Sequence, residues 1–217
     1  MVDGVIYMSS SLQEETLQII NELDLTTVLV ETKDKDESLP SVIIDNIKAS
    51  EEATNYLINK GLKNIAYAGA KKDSMNAWGD RYIGYENALR DKNISIDEDL
   101  IYTKGLKVKT GYEAVEYFEN SNKAYEAVVC GSDEIAMGVI NALRERGKKV
   151  PEDVSVIGFN DNAVSSVFYP KITTIRQPSY DMGSVAMRML IKMLNKKELD
   201  ESQFILEYEL IERESCK

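Results

Sequence analysis

A chain of 217 residues with 43% hydrophobic and 29% charged content can bury one large core or two ordinary ones, and it is neither disordered nor fibrous. Its net charge of −11 comes without any basic block, so this chain by itself is a poor ligand for DNA, which asks for clustered Lys and Arg. Histidine is absent, which excludes Ser-His-Asp and Cys-His catalysis, an imidazole base and His-containing zinc sites. No apolar run approaches the roughly 18 residues of a membrane span, and no basic-then-apolar leader opens the chain, although Met1 runs straight into an apolar strand as if sequence preceded it. Cys130 and Cys216 have no metal-ligand spacing and fit a reduced cytoplasm, with Cys130 reading as a small core residue. No motif calls for a cofactor or a metal.

In chain order, the apolar run 2–8 predicts a strand, and Ser9–Ser11 cap a helix over 12–23. Strands follow at 26–31 and 41–45, and Asn46 caps a helix that reaches Asn59 and closes at Gly61. Residues 64–69 form the next strand, then a polar loop with Trp78 leads into a helix over 80–91. Strand 101–104, helix 110–119, strand 125–131 and helix 135–146 continue the alternation. Val154–Phe159 reads as a buried strand ending in Gly158-Phe159-Asn160-Asp161-Asn162, and Ala163–Tyr169 as a short apolar segment stopped by Pro170. Strand 172–176, a long amphipathic helix after Gln177-Pro178 and a last strand over 204–211 complete the chain. Strands alternating with helices predict an α/β fold with parallel sheets covered on both faces.

The motifs Pro151-Glu152-Asp153, Gly158-Phe159-Asn160-Asp161 and Pro170-Lys171-Ile172-Thr173-Thr174-Ile175-Arg176-Gln177 resemble the hallmarks of the lactose-repressor/galactose-repressor family of bacterial transcription regulators. Within it, the helix Gln177–Arg188 is similar to that of the catabolite control proteins. The resemblance implies two doubly wound parallel-sheet lobes of the periplasmic-binding-protein-like type I kind. It implies an N-terminal lobe of 1–44 plus 178–204 and a C-terminal lobe of 45–177 plus 205–217, with crossings near Asp45, Gln177 and Phe204. The N-terminal lobe is expected to be incomplete, lacking two strand–helix units and the helix-turn-helix headpiece through which operator DNA would be bound. It also implies a cytoplasmic, non-enzymatic regulator.

Three groups of residues are candidates for function. On the helix after Gln177, Met182, Ala186, Met189, Leu190 and Met193 cluster on one side at about 100° per residue. Asp181, Ser184, Arg188 and Lys192 cluster on the other, with Tyr180 at the edge. A solvated face is the ordinary meaning of such a pattern, but Arg188 and Lys192, one turn apart, suit a phosphate. The resemblance implies that Tyr180, Asp181, Arg188 and Lys192 receive the serine-phosphorylated phosphocarrier protein HPr.

The second group is an effector cleft of Ser9, Arg81, Ser132, Asp133, Asn160 and Gln177 for a small sugar, sugar phosphate or purine, in which Arg81 and the residue at 160 would grip hydroxyls. Asn160 departs from the family's usual Asp, and Leu106 stands where sugar binders place an aromatic. The third is a homodimer interface of Ala136, Met137, Ile140, Val164, Val167, Phe168 and Tyr169, segments that core packing would also explain. A dimer of this kind would set two headpieces on a palindromic operator. The expected function is the effector- and corepressor-sensing core of a regulator of carbon catabolism. The alternative is an extracytoplasmic sugar-binding protein of a transport system, which shares the fold. A Rossmann-type enzyme lacks both a G-x-G-x-x-G turn and an acid/base set.

Overall fold

The computed structural model describes residues 2–9, 11–70 and 76–217. Its elements run β1 (Val5–Met8), α1 (Glu14–Glu22), β2 (Thr27–Val30), β3 (Ser41–Ile44), α2 (Asn46–Asn59), β4 (Ile65–Ala68), α3 (Ala77–Asp91), β5 (Ile101–Tyr102) and α4 (Val108–Asn120). They continue with β6 (Ala127–Cys130), α5 (Asp133–Glu145), β7 (Ser155–Asn160), β8 (Thr173–Arg176), α6 (Ser179–Leu194), β9 (Gln203–Leu206) and β10 (Glu209–Ile211). The chain divides into two compact units. One is formed by the residues up to Asp45 with Asn76, Ala77 and Pro178–Glu207, the other by the remaining residues between Asn46 and Gln177 with Tyr208–Lys217.

The first unit is a four-stranded sheet of order β1-β2-β3-β9 in which every neighbouring pair is parallel. Its strands are β-branched and short, and β1 is an edge strand. The apolar stripe of α6, Met182, Val185, Ala186, Met189 and Leu190, is buried with Val28, Val30 and Val42. Each Val, Leu or Met side chain among them contributes about 1.5–3 kcal/mol when fully removed from water.

The second unit is a six-stranded sheet of order β10-β8-β7-β6-β4-β5, parallel except that β10 runs antiparallel to β8. Phe118, Val139, Leu143, Val128 and Val156 lie in one buried cluster. The helices α4 and α5 approach closely because position 138 is glycine: a Cβ there would collide with the Val108 carbonyl oxygen.

Several boundaries differ from the sequence expectation, each for a local reason. The strand expected over 204–211 is two strands in two sheets, because the chain passes from one unit to the other after Glu207. The helix expected from Thr110 starts at Val108; Thr110 sits in the first turn, where its hydroxyl accepts from the Lys107 N–H at 3.3 Å. The first helix starts at Glu14 with Gln13 as its uncapped entry rather than at a serine cap; Ser10 lies outside the described residues, as does most of the polar loop expected after Gly69. Gly61, at φ +89°, closes α2, as a C-terminal glycine does.

Candidate functional site

Two of the three candidate groups form coherent clusters, one in each unit. In the first unit, α6 shows the amphipathic division its period requires. Tyr180 is 86% exposed, Asp181 and Arg188 are exposed, and Ser184 and Lys192 are half-buried. Arg188 has no hydrogen bond or ion pair among the described residues. Lys192 Nζ lies 2.6 Å from Asp200 Oδ2, and this hydrogen bond holds the Asp200 carboxyl below its usual range. Arg188, Lys192 and Asp200 border one groove of about 240 Å³ floored by Val185, Met189, Leu199 and Phe204. On its other side Arg188 borders a shallow depression with Tyr180, Asp181 and Ser184. Two cations one helical turn apart, next to an exposed aromatic and an exposed carboxylate, form a surface suited to an anionic, partly apolar partner.

In the second unit, Arg81, Ser132, Asp133, Asn160 and Gln177 gather at the carboxyl ends of β4, β6, β7 and β8, where open α/β sheets bind ligands. Ser9 follows β1 and belongs to the first unit. Their side chains are engaged with the protein itself. Arg81, 3% exposed, donates from Nε to Asn46 Oδ1 at 2.9 Å and from Nη1 to the Gly131 carbonyl at 2.7 Å. Its guanidinium lies over the rings of Trp78 and Phe159, at 4.6 and 3.8 Å from their centroids. Ser132 Oγ caps α5 by accepting from the Ile135 N–H at 3.3 Å.

Asp133 is fully buried, accepting from Thr174 Oγ1 at 2.6 Å and from the Asn162 N–H at 2.7 Å. Burial pushes its pKa up, against the lowering effect of those hydrogen bonds. Gly158 of the Gly-Phe-Asn-Asp motif is required by this approach, since a Cβ there would collide with Asp133 Oδ1. Gln177 donates from Nε2 to Asn160 Oδ1 at 2.6 Å, and Asn160 and Asp161 both take positive φ, +107° and +56°. Asp133, expected among the cleft residues, here braces the turn after β7 from within. Leu106 is half-buried between β5 and α4.

That turn has a second brace that the sequence reading missed. Asp161 pairs with Arg213 at 2.6 Å and with Arg176 at 2.7 Å, and Arg176 also reaches Glu209 at 3.0 Å. Arg213 is 52 positions from Asp161, so no local spacing signals the pair. Among the described residues no group of three or more His, Cys, Asp or Glu is placed to hold a metal ion.

The third group is split. Ala136 and Ile140 are buried in the second unit's own core, although Ile140 also borders a groove with Arg144, Tyr169 and Pro170. Met137 and Phe168 pack half-buried against the same cluster, and Val164 is half-buried. Val167 and Tyr169 are the outward-facing members, 80% and 77% exposed.

Comparison with known proteins places this architecture. A family profile described as a periplasmic binding protein-like domain matches residues 54–216. The HTH-type transcriptional regulator RegA of Clostridium saccharobutylicum is 66% identical over 215 residues, 99% of this chain and 65% of that protein. Catabolite control protein A of Staphylococcus epidermidis is 34% identical over 96% of this chain and 63% of its own length. The chain therefore spans just under two thirds of these curated relatives. The crystal structure of the transcription regulator CcpA of Lactococcus lactis superposes with a TM-score of 0.91 at 36% identity, covering 100% of this chain and 79% of that one.

Proposed function

The chain belongs to the periplasmic-binding-protein-like family in the form carried by LacI-type transcription regulators, and from that membership we propose that it is the sensing and dimerising core of a regulator of carbon catabolism. In this reading α6 receives serine-phosphorylated HPr. Arg188 forks onto the phosphate, Lys192 adds a second cation, Tyr180 inserts as an aromatic anchor and Asp181 pairs with a basic side chain of the partner. The observation that carries the reading is the exposed Arg188, without an ion pair among the described residues, beside Tyr180 and Asp181 on α6.

The polar cluster at the carboxyl ends of the second unit's strands is the place for a small effector, with Arg81 and Asn160 its central residues. Both already have internal partners, so an effector there has to exchange them, and the protein partner is the stronger input. The core performs no bond-making of its own and acts in the cytoplasm. Operator binding follows by linkage: a partner that prefers the DNA-docking arrangement raises operator affinity by its differential binding. The transport-protein alternative is not favoured, because the relatives at 66% and 34% identity carry the names of regulators.

The test is calorimetry of the full-length regulator against phosphorylated and unphosphorylated HPr. Binding confined to the phosphorylated form supports the proposal, and equal affinity for both ends it.

A further inference from the structure

Asp200 is an acid placed against a site read as a phosphate dock, and its position is built rather than accidental. The C-terminus of α6 closes with the Lys197 N–H on the Lys192 carbonyl at 3.0 Å and with Lys196 at φ +55°. The chain then turns back, and Leu199 packs against the core of the first unit. Two residues beyond Asp200, the Ser202 carbonyl accepts from the Ser41 N–H at 2.8 Å and β9 begins. Asp200 is thus held between two tethered points, with its side chain 86% exposed and its carboxylate on Lys192 Nζ.

We infer that Asp200 is a resident counter-charge that tunes the α6 surface for a phosphoserine partner; this rests on the reading of α6 given above. While the site is empty, Asp200 neutralises Lys192 and leaves Arg188 as the first cation an arriving group meets. A carboxylate in the same groove then opposes the incoming phosphate, which carries about −1.5 to −2 charges near neutral pH. A like-charge contact near 4 Å in a water-exposed site costs on the order of a few-fold in affinity. An unphosphorylated serine carries no charge and meets no such opposition. Asp200 therefore sets how much phosphorylated partner is needed to occupy the site, and it discourages small free anions that lack the rest of the partner's contacts.

The experiment titrates the full-length regulator and its Asp200→Asn variant with phosphorylated and unphosphorylated HPr at low and high salt. The variant is expected to bind the phosphorylated form about three- to tenfold more tightly, and less so at high salt, with affinity for the unphosphorylated form unchanged. Asp200→Glu, which keeps the charge, is expected to stay near wild type. Equal or weaker binding of the phosphorylated form by Asp200→Asn overturns the inference, as does an equal gain for both forms. A wild-type protein with no preference for the phosphorylated form overturns the α6 reading itself, and the two failures are told apart by the wild-type titration alone.

Discussion

The α6 face and the polar cluster of the second unit look alike as lists of residues and differ in what their side chains touch. At the carboxyl ends of the second unit's strands, Arg81, Ser132, Asp133 and Asn160 are tied to Asn46, Gly131, the α5 N-terminus, Thr174, Asn162 and Gln177. On α6, Tyr180, Asp181 and Arg188 face outward. A buried polar group must find partners at once, because leaving it unpaired costs on the order of 1–3 kcal/mol. An exposed one has water and can wait for a ligand. The first arrangement makes an internally braced platform, and the second is the kind of surface the proposed α6 reading needs.

The comparison breaks most visibly at Arg81. Arg81→Ala removes a guanidinium from the rings of Trp78 and Phe159 and strips a donor from Asn46 and from Gly131. Denaturant unfolding should show a loss of about 3 kcal/mol, from the void and the lost hydrogen bonds together. A variant of unchanged stability would mean that Arg81 is held loosely and is free to serve a ligand. Arg188→Ala should do the reverse: an unfolding midpoint within error of wild type, and affinity for phosphorylated HPr lower by about 100-fold in calorimetry. If Arg188→Ala instead lowers stability and spares affinity, the α6 face is a solvated helix surface and nothing more.

How far these differences could be read from the sequence depended on range. Hydrophobic period placed α6 and separated its buried Met182, Ala186 and Met189 from its outward Asp181 and Arg188, since a helix face is decided within a few turns. The strand alternation gave the fold class for the same reason. The resemblance supplied the register of the Gly158–Asp161 motif but not the reason for it, which is the approach of Asp133 from the start of α5. Arg213 with Asp161, and Asp200 folding back on Lys192, are pairings made by tertiary structure and leave no trace in spacing. Ala136 and Ile140 show the opposite error: their helical spacing suited an interface and a core equally, and burial decided for the core.

A third surface sharpens the contrast by mixing the two kinds of residue. Val167 and Tyr169 project from the segment before Pro170, while Phe168 between them packs inward. If this segment joins two copies, Val167→Asp places a charge in an apolar contact that each subunit contributes once. Sedimentation equilibrium of the full-length regulator should then show dimer dissociation raised by about tenfold or more, with unfolding of each subunit little changed. A dimer as tight as wild type would assign these side chains to open surface.

The smallest effect lies in the two acids whose pKa values move in opposite directions. Asp200 is lowered by its hydrogen bond to Lys192, Asp133 is raised by burial. For a carboxyl raised in the folded state, the native protein holds the proton longer than the unfolded chain. The contribution of Asp133 is therefore fully present below its unfolded value near 3.8 and is lost as pH rises through the folded value. Asn resembles the protonated acid in shape and does not ionise. Asp133→Asn should accordingly compare least favourably with wild type at the acid end and gain relative stability as pH rises toward neutrality, read as the difference in urea midpoints at pH 3 and pH 7. The opposite slope would mean that the bonds from Thr174 and Asn162 outweigh burial and hold Asp133 ionised, so that the second unit keeps a fixed negative charge where a ligand would approach.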